Sequence, residues 1–451
     1  MRRSRLDRFL RLFTDVRAGE GPRALRLLGA VFLILAAYYF IKPAREGLLA
    51  TSGIPELSDL ELKAYSSFGQ GLILLAVIPL HDRIAGLLSR RALITRIPLF
   101  FVSNLILFWA LQPGFVFEAV PLVGVVFYLW VGIFNVFIVA QFWGFAADLY
   151  SDDAGRRLFP LIAIGATAGA AAGAGLSERL VDAEILDTYS LLLVAAGALA
   201  LAVAFLRAAE GNAESDADDD RAERDASGGM GLVLRHRYLL AAALLVLVLN
   251  WVNTNGENLL FSAVQKHLEA QAAAQGLGGE ALKDFLREQT TAFYGDFFFW
   301  VNVVALFLQA FVASRILRYG GFGVLLLCLP VVSLLSYSTM AVLPLLSVIR
   351  WMKVAENSTD YSIHNTAKQV IWLPTTTEMK YKAKAAVDTF FVRIGDGMAA
   401  LTAFVGTNLL ALPLRGFFLV NAVLALVWLA VGVVVVREHH RFRTRRRTRK
   451  A

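Results

Sequence analysis

The chain has 451 residues, of which 57% are hydrophobic and 18% are charged, and its formal net charge is +8. Its mean hydropathy of +0.59 is too high for one or two soluble domains of this length, so a membrane is the expected solvent. A single cysteine, Cys328, excludes an intrachain disulfide and a multi-thiolate metal site, and redox chemistry is not expected.

The first predicted element is an N-terminal segment, residues 1–24, in which arginines alternate with apolar residues at helical spacing. The apolar positions are Leu6, Phe9, Leu10 and Phe13. The segment lacks the short apolar core and small-residue cleavage site of a signal peptide. We therefore expect an amphipathic helix that lies on the cytoplasmic membrane surface.

Apolar runs long enough to cross a bilayer as a helix, about 20 residues each, recur from Leu25 to Val436. They predict twelve membrane helices, six in residues 25–207 and six in residues 237–436. Lys and Arg concentrate at the two ends of the chain and in the connectors after even-numbered spans. Because basic segments resist translocation, we expect both termini on the cytoplasmic side of the inner (cell) membrane.

The two groups of spans are separated by residues 208–236, whose composition turns acidic and polar. Such a segment is typical of a disordered cytoplasmic linker. Six spans on each side of a central linker is the layout of the major facilitator superfamily, whose halves rock about a midplane site. The predicted fold class is therefore an all-α membrane protein of two six-helix bundles.

Glycines mark two further features of the chain. In the fifth span Gly165, Gly169 and Gly173 repeat every four residues, which favours close packing of this face against another helix, with a flexible hinge as the alternative. After the seventh span, the connector from Ser262 to Thr290 is rich in Ala, Gln and Glu and is broken by glycines. This composition predicts an external helical hairpin.

Ionisable residues inside the spans are the main signal for function. Each costs about 2.5–3.5 kcal/mol at the bilayer centre, so it usually faces a partner or an aqueous cavity. These residues are Lys42, Arg45 and Glu46 in the first span, Asp148 in the fourth, Glu257 in the seventh, Asp296 in the eighth, Arg350, Lys353, Glu356, Asp360, His364 and Lys368 in the tenth, and Asp388, Arg393 and Asp396 in the eleventh.

The tenth span, Leu343–Leu373, carries the most charge. Its polar residues follow one another at spacings of three or four, which places them on one helical face. They are Lys353, Asn357, Asp360, His364 and Lys368. Either this face lines an aqueous cavity, or Lys353 pairs with Asn357 and Asp360 with His364 simply to hold helices together.

Cations from separate spans that converge on one cavity would suit a phosphorylated anion, because Lys and Arg bind phosphate oxygens through charge-assisted hydrogen bonds. Aromatic residues near them, Tyr361 included, are suited to stack on a planar base. The candidate substrate-binding cations are Lys42, Arg45, Lys353, Lys368 and Arg393.

The last segment, residues 437–451, is rich in arginine. Such a tail fixes the orientation of the chain and contacts anionic lipid headgroups, which we favour over nucleic-acid binding. We therefore expect anionic lipids as partners of the basic termini, no nucleic acid, and a monomeric protein.

Three stretches of the first half carry a resemblance to a known family. Residues 41–48 read IKPAREGL, residues 142–148 read FWGFAAD and residues 156–161 read RRLFPL. They resemble the nucleotide transporter family, the ATP/ADP translocases of plastids and intracellular bacteria, which has basic-x-x-Lys-Asp-x-Leu, Phe-Trp-x-Phe-Ala-Asn-Glu and Lys-Arg-Phe-Tyr-Pro-Leu there. The resemblance places Arg45 at the family's lysine, Glu46 at its acid and Asp148 at its glutamate.

The second half continues the resemblance over nearly the whole membrane region. Glu257 lies at the family's seventh-span glutamate, and residues 292–297, AFYGDF, resemble Phe-Met-Gly-Asp-Phe around Asp296. Residues from Tyr361 to Ile394 follow the family in order. The chain departs from it at Asp396, where the translocases have a lysine that looks important for transport.

The resemblance implies exchange of nucleotides such as ATP and ADP by alternating access. In this hypothesis the cations and Tyr361 hold the substrate, while acidic and titratable residues couple or gate the movement. The coupling or gating candidates are Glu46, Asp148, Glu257, Asp296, Asp360, His364, Asp388 and Asp396.

Two alternatives remain at the level of sequence. One is a proton-coupled carrier of another organic or phosphorylated anion, in which Glu257, Asp360 and His364 form a relay. The other is a membrane scaffold or sensor without transport. The sequence contains no P-loop, His-Glu-x-x-His or Gly-x-Ser-x-Gly motif, so we expect neither an enzyme nor a bound cofactor.

Overall fold

A computed structural model of the protein describes residues 17, 20–54, 56–87, 89–116, 120, 122–210, 229–376 and 378–448. These residues form helices and turns, without a β-strand. The predicted amphipathic N-terminal helix, most of the acidic linker and the end of the basic tail lie outside the described residues.

The first six long helices match the first six predicted spans. Ser58 and Glu61 form a capping box at the start of the second helix, because each backbone N–H donates to the other residue's side-chain oxygen, at 3.2 and 3.4 Å. The helices are α1 (Gly21–Ala50), α2 (Asp59–Leu87), α3 (Arg90–Ala110), α4 (Val123–Asp148), α5 (Asp152–Asp182) and α6 (Ser190–Glu210).

The second six helices follow a short helix, Gly229–Arg235, and three of them contain π-helical turns. They are α7 (Arg237–Ala274), α8 (Gly279–Phe307, extended by π turns to Gly320), α9 (Gly321–Val342), α10 (Leu346–Thr359, the π turn Asp360–His364, and Asn365–Ile371), α11 (residues 379–409, with three π turns) and α12 (Leu414–Thr448). Each π turn adds a residue to its helical turn, and such turns are frequent at functional sites.

Eleven helices of the described chain are long and apolar enough to cross a membrane. The remaining long helix is α10, whose ionisable residues make it too polar to qualify by composition. It is nevertheless continuous through residues 346–371, roughly 39 Å at 1.5 Å per residue, which is enough to span the hydrocarbon core. The chain is a multi-pass, all-α membrane protein, and the predicted fold class is confirmed.

The helices group into two compact units. Unit 1 comprises Met1–Gly53, Ile73–Asp219 and Leu268–Asn302, and unit 2 comprises Ile54–Leu72, Asp220–His267 and Val303–Ala451. The first part of α2 is therefore in unit 2, and the first part of α8 is in unit 1. Each unit contains helices from both halves of the sequence.

In unit 1, α1 packs along α5 and also contacts α4 and α6. The three spaced glycines of α5 face the α1 backbone. A Cβ added at Gly165 would lie 2.6 Å from the Leu28 carbonyl oxygen, and one added at Gly173 would lie 2.5 Å from that of Ala36. The helices are too close for any side chain here, which confirms close packing as the role of the glycine repeat.

In unit 2, α9 packs along α12 and against α10. Polar side chains join the buried helix surfaces: Asn255 of α7 donates to Asn421 of α12 at 2.9 Å, and Asn421 donates to the Val252 carbonyl at 3.1 Å. Interhelical hydrogen bonds of this kind add to van der Waals packing when helices associate inside a bilayer.

The connector between α7 and α8 is a helical hairpin, as predicted. Helix α7 continues to Ala274, and α8 begins at Gly279 after a turn in which Gly276 and Gly279 have φ values of 70° and 59°. These left-handed conformations suit glycine because it has no Cβ. Further along α8, Glu288 accepts hydrogen bonds from the Thr188 backbone N–H and hydroxyl, at 2.8 and 2.7 Å.

Candidate functional site

The predicted site residues divide between the two units. Unit 1 holds Lys42, Arg45 and Glu46 on α1, Asp148 on α4 and Asp296 on α8; unit 2 holds Glu257 on α7, Lys353, Asp360, Tyr361, His364 and Lys368 on α10, and Asp388, Arg393 and Asp396 on α11. Each unit therefore has its own set of cations and carboxylates.

Lys42 lies in an aromatic cage inside unit 1. Its Nζ is 3.8 Å from the centre of the Phe298 ring and 5.2 Å from that of Tyr39, and the side chain is buried. An ammonium over aromatic faces is stabilised by the ring quadrupoles, and more so when it is removed from water. The cage places a buried positive charge between α1 and α8.

Arg45 is paired with its sequence neighbour Glu46. The guanidinium donates from Nε and Nη2 to the same Glu46 oxygen, at 3.0 and 2.6 Å, and lies over the Tyr128 ring at 4.4 Å. Glu46 is only 1% exposed. Because a buried charge is costly without a partner, each of these two residues stabilises the other.

The two other predicted carboxylates of unit 1 differ in exposure. Asp148 is the last residue of α4 and is exposed, whereas Asp296 is half-buried within α8.

Lys353 is at the centre of a buried charge cluster in unit 2. Its Nζ is 2.6 Å from Oε2 of Glu356 and 3.4 Å from Oε1 of Glu257, and Lys353 is 1% exposed. The Glu356 carboxylate also accepts hydrogen bonds from Ser333 at 2.9 Å and from Tyr337 at 2.8 Å. The lysine is thus compensated by two carboxylates from α7 and α10.

Glu257 is the accessible member of this cluster. Its side chain is 28% exposed, while that of Glu356 is 3% exposed. Its Oε1 also accepts a hydrogen bond from Asn357 Nδ2 at 2.8 Å. A ligand or proton that binds Glu257 would therefore weaken its ion pair with Lys353.

A cavity of about 440 Å³ lies in unit 2 between α7, α10 and α11. Lys368 Nζ and Asp360 Oδ1 form a long ion pair across 3.9 Å. That Asp360 oxygen is buried and has no hydrogen-bond partner among the described residues. The cavity is lined by Asn250, Asn253, Asp360, Lys368, Lys384 and Asp388, among others.

Asp388 is exposed, and Lys368 has a side chain that is 40% exposed. The lining therefore combines two cations, two carboxylates and several amides. The positive and negative charges of this lining are equal in number. A phosphate can therefore bind here only if it replaces a carboxylate as the partner of a lysine.

Asp396 accepts three hydrogen bonds in unit 2. Its donors are Asn250 Nδ2 at 2.6 Å, the Thr254 hydroxyl at 2.9 Å and Arg393 Nη1 at 2.8 Å, and it is 7% exposed. Arg393, a predicted phosphate ligand, is therefore already bound by a carboxylate on its own helix.

His364 lies apart from the charged cavity lining. It is fully buried, its ring is 6.1 Å from that of Trp428, and neither ring nitrogen has a hydrogen-bond partner among the described residues. The structure thus shows no hydrogen bond between His364 and Asp360.

Tyr361, the predicted stacking residue, is 40% exposed.

Several residues that hold these charges were missing from the predicted site. They are Glu356, Tyr337, Ser333, Asn250, Thr254 and Lys384. Glu356 could have been found as the acid three residues after Lys353, because this spacing brings side chains together on a helix. Asn250 and Thr254 are polar residues four apart in an apolar span, whereas Tyr337 gives no comparable signal.

Within the described chain, no group of three or more His, Cys, Asp or Glu residues could hold a metal ion. The arrangement in both units is one of cation–carboxylate pairs and aromatic contacts.

Sequence comparisons relate the chain to nucleotide carriers. ADP,ATP carrier protein 1 of Chlamydia muridarum is 22% identical over 59% of this chain and 55% of that protein. The protein of the same name from Chlamydia pneumoniae is 26% identical over 24% of this chain and 25% of that protein. The chain thus matches at most about half the length of these curated relatives. No protein-family model matches the sequence.

Solved structures of transporters share the fold. A bacterial homolog of the human lysosomal transporter Spinster has a TM-score of 0.61 at 13% identity, covering 94% of this chain and 99% of that one. The nucleoside transporter NupG has a TM-score of 0.59 at 12% identity, covering 92% and 99%. A POT family peptide transporter has a TM-score of 0.61 at 12% identity, covering 92% and 96%.

The chain has the major facilitator fold and resembles the nucleotide transporter family. At 12 to 13% identity the structural similarity establishes the fold alone. The main departure from the nucleotide transporter family, Asp396 in place of a lysine, has its own three donors in this structure. Through these hydrogen bonds Asp396 joins α11 to α7 within unit 2.

Proposed function

We propose that the chain is a secondary transporter that exchanges nucleotides of the ATP/ADP type across the inner (cell) membrane by alternating access. The observation that carries the proposal is a cavity of about 440 Å³, which Asp360 and Lys368 of α10 line together with Lys384 of α11. A membrane helix retains such charges where they face a solute or water. The similarity to the Chlamydia ADP,ATP carriers supports a nucleotide as the solute.

Lys368 is the residue best placed to bind a phosphate. Its side chain is 40% exposed, against 1% for Lys353 on the same helix, and its ion pair with Asp360 is long, at 3.9 Å. A phosphate oxygen at normal hydrogen-bond distance would be a better partner than this carboxylate. Lys384 adds a second cation, and the amides of Asn253 and Gln369 in the same lining can donate to a base or ribose.

The wider arrangement in this proposal follows the predicted topology. The bundles of residues 25–207 and 237–436, joined by the linker 208–236, rock during transport, with both termini cytoplasmic. Glu46, Asp148, Glu257 and Asp296 would couple or gate this movement, anionic lipids would contact the basic termini, and the carrier would act as a monomer.

A second candidate is a proton-coupled carrier of another organic or phosphorylated anion. One observation favours it: Arg45, Lys353, Lys368 and Arg393 each have a carboxylate within 4 Å. These four cations are therefore already compensated, and repulsion among them does not prevent the carrier from reorienting without substrate. A substrate that binds Lys368 would break its ion pair with Asp360, and the freed Asp360 carboxylate would bind a proton. Glu257 and His364 are further candidates for the proton relay.

Transport by reconstituted protein separates the two candidates. Proteoliposomes loaded with ATP or ADP should take up labelled ATP, while liposomes without internal nucleotide should not, if the protein exchanges nucleotides. Accumulation that ignores internal nucleotide and collapses with an uncoupler would replace exchange by proton coupling. A thermal-shift screen against nucleotides, sugar phosphates and carboxylates identifies the solute class, because ligand binding raises apparent stability.

The cavity itself is tested by removing its two lysines. We expect Lys368→Gln combined with Lys384→Gln to lower ATP uptake by about a hundredfold or more, since each lost charge-assisted hydrogen bond is worth about 1.5–3 kcal/mol and about 1.4 kcal/mol is a factor of ten. Lys266→Gln is the matched control, because Lys266 is an exposed lysine of the α7–α8 hairpin. Full uptake by the double variant would show that this cavity does not bind the transported anion.

A further inference from the structure

A second cavity lies in unit 1, outside the site described above. It is formed where the start of α1 meets the connector between α4 and α5, and its volume is about 450 Å³. Its polar lining consists of Glu20, Arg23, Arg26, Tyr150 and Ser151. None of these residues belongs to the proposed transport machinery.

The described lining of this cavity has an excess of positive charge. Glu20 is its only carboxylate, and Arg157 binds that group through two hydrogen bonds of 2.9 and 3.0 Å. Asp153, beside the lining residue Ala154, pairs with Arg17 at 2.8 Å. Arg26 donates one guanidinium N–H to the Ala208 carbonyl at 2.9 Å. The charges of Arg23 and Arg26 therefore have no carboxylate partner among the described residues.

Two hydroxyl groups add hydrogen-bond donors to these cations. The Tyr150 hydroxyl is buried and has no hydrogen-bond partner among the described groups. Burial raises the pKa of Tyr150 to about 12, so the hydroxyl keeps its proton at neutral pH. Ser151 precedes α5 and its side chain makes no capping hydrogen bond. Ser151 is exposed, but a buried hydroxyl without a partner, such as that of Tyr150, is rare in native proteins, which indicates that a ligand supplies its acceptor.

We propose that this cavity binds a phosphate group, held by the guanidinium groups of Arg23 and Arg26 and by the hydroxyl of Tyr150. Two cations and a buried hydroxyl donor suit a ligand that is negatively charged and rich in acceptor oxygens, and phosphate has both properties. The cavity volume leaves room for the glycerol or sugar to which a phosphate is esterified.

The cavity lies at the edge of the first membrane span. Arg23 and Arg26 stand at the first turns of α1, next to Leu25, an exposed apolar residue at the start of the first membrane span. This is the depth at which phospholipid headgroups lie. A lipid headgroup and a soluble phosphate compound offer the same chemistry, so the experiment has an arm for each.

The test uses the purified full-length protein in a neutral detergent. One arm titrates dioctanoyl phosphatidylglycerol and the other titrates inorganic phosphate, with binding followed by the shift in apparent melting temperature. We expect saturable binding in at least one arm, weakened about a hundredfold by R23Q/R26Q, since two charge-assisted bonds are lost. The control R318Q/R437Q removes two basic groups of unit 2 and should leave the apparent Kd unchanged.

Y150F keeps the ring and removes only the hydroxyl, so it serves if R23Q/R26Q does not fold. We expect it to weaken binding several-fold with an unchanged melting temperature of the unliganded protein. Binding in the lipid arm alone identifies a headgroup site, and binding of inorganic phosphate identifies a soluble ligand. Absence of binding in both arms, or equal binding by wild type, R23Q/R26Q and Y150F, overturns the proposal.

Discussion

Lys353 and Glu356 form an ion pair of 2.6 Å in which the two side chains are 1% and 3% exposed. The pair lies in α10, the helix whose composition is too polar for a typical membrane span. Glu257, Ser333 and Tyr337 complete the shell around it. The cluster shows how a helix with so many charges is accommodated in unit 2.

The first prediction concerns this pair. Lys353→Met should lower the free energy of unfolding by about 3–5 kcal/mol, because it leaves the Glu356 charge buried without its partner. Glu356→Gln should cost less, because Glu257 at 3.4 Å still pairs with Lys353. The double variant should cost less than the sum of the two, and denaturation of the purified variants in detergent measures this difference.

The exposed pair of Lys283 and Glu280, with side chains that are 56% and 73% exposed, provides the control. Removing either partner there should change stability by less than about 1 kcal/mol. Equal effects at the two pairs would contradict the buried cluster.

The second prediction concerns the glycine face of α5. Gly169→Ala should reduce folded yield, because the new Cβ would lie 2.8 Å from the carbonyl carbon and from the Cα of Phe32. Backbone atoms cannot move away as a side chain can, and overpacking of this kind costs about 1–3 kcal/mol. Gly197→Ala is matched to it, since no atom lies within 4 Å of the added Cβ. Yield of monodisperse protein from size-exclusion chromatography compares the two, and equal yields would argue against the tight α1–α5 contact.

The third prediction concerns the departure from the nucleotide transporter family. Asp396→Lys should destabilise the protein, because the substitution removes the acceptor of three hydrogen bonds and places a cation beside Arg393. Asp388→Lys on the same helix should be tolerated, since Asp388 is exposed. Apparent melting temperatures of the two variants decide the point; an Asp396→Lys protein as stable as the wild type would mean that these bonds contribute little.

The fourth prediction concerns pH. The hydrogen bonds from Arg157 hold the pKa of Glu20 below its ordinary value of 4.5. Since the folded-state pKa is the lower one, the stabilisation from this carboxylate is fully present above the unfolded-state pKa and is lost as the pH falls through the folded-state pKa. The difference in melting temperature between wild type and Glu20→Gln should therefore be constant near neutral pH and vanish in acid.

Glu280→Gln is the comparison for this measurement, because the Glu280 side chain is 73% exposed. Its difference from wild type should be small at every pH. A wild type minus Glu20→Gln difference that is as large in strong acid as at neutral pH would mean that the Arg157 pair does not depend on the Glu20 charge.

The sequence alone determined where the helices lie. Inside a bilayer every backbone N–H and C=O must be paired within the chain, so each sufficiently long apolar run forms a helix. That constraint predicted twelve spans; eleven are apolar enough to qualify by composition, and the twelfth, α10, is helical throughout residues 346–371. The close-packed glycine face of α5 and the helix break at Gly276 could also be predicted from the sequence, because both depend on local chain geometry.

Only the tertiary structure decided which charges are partners. The one-face pattern of α10 suggested that Asp360 could pair with His364, whereas the structure pairs Asp360 with Lys368 and places His364 against Trp428. The cause is the π turn Asp360–His364, whose extra residue rotates the following side chains relative to a regular α-helix. The partners of Lys353 and Asp396 on α7 were hidden for a second reason: contacts between distant helices depend on packing in three dimensions, which hydropathy and spacing along one helix do not encode.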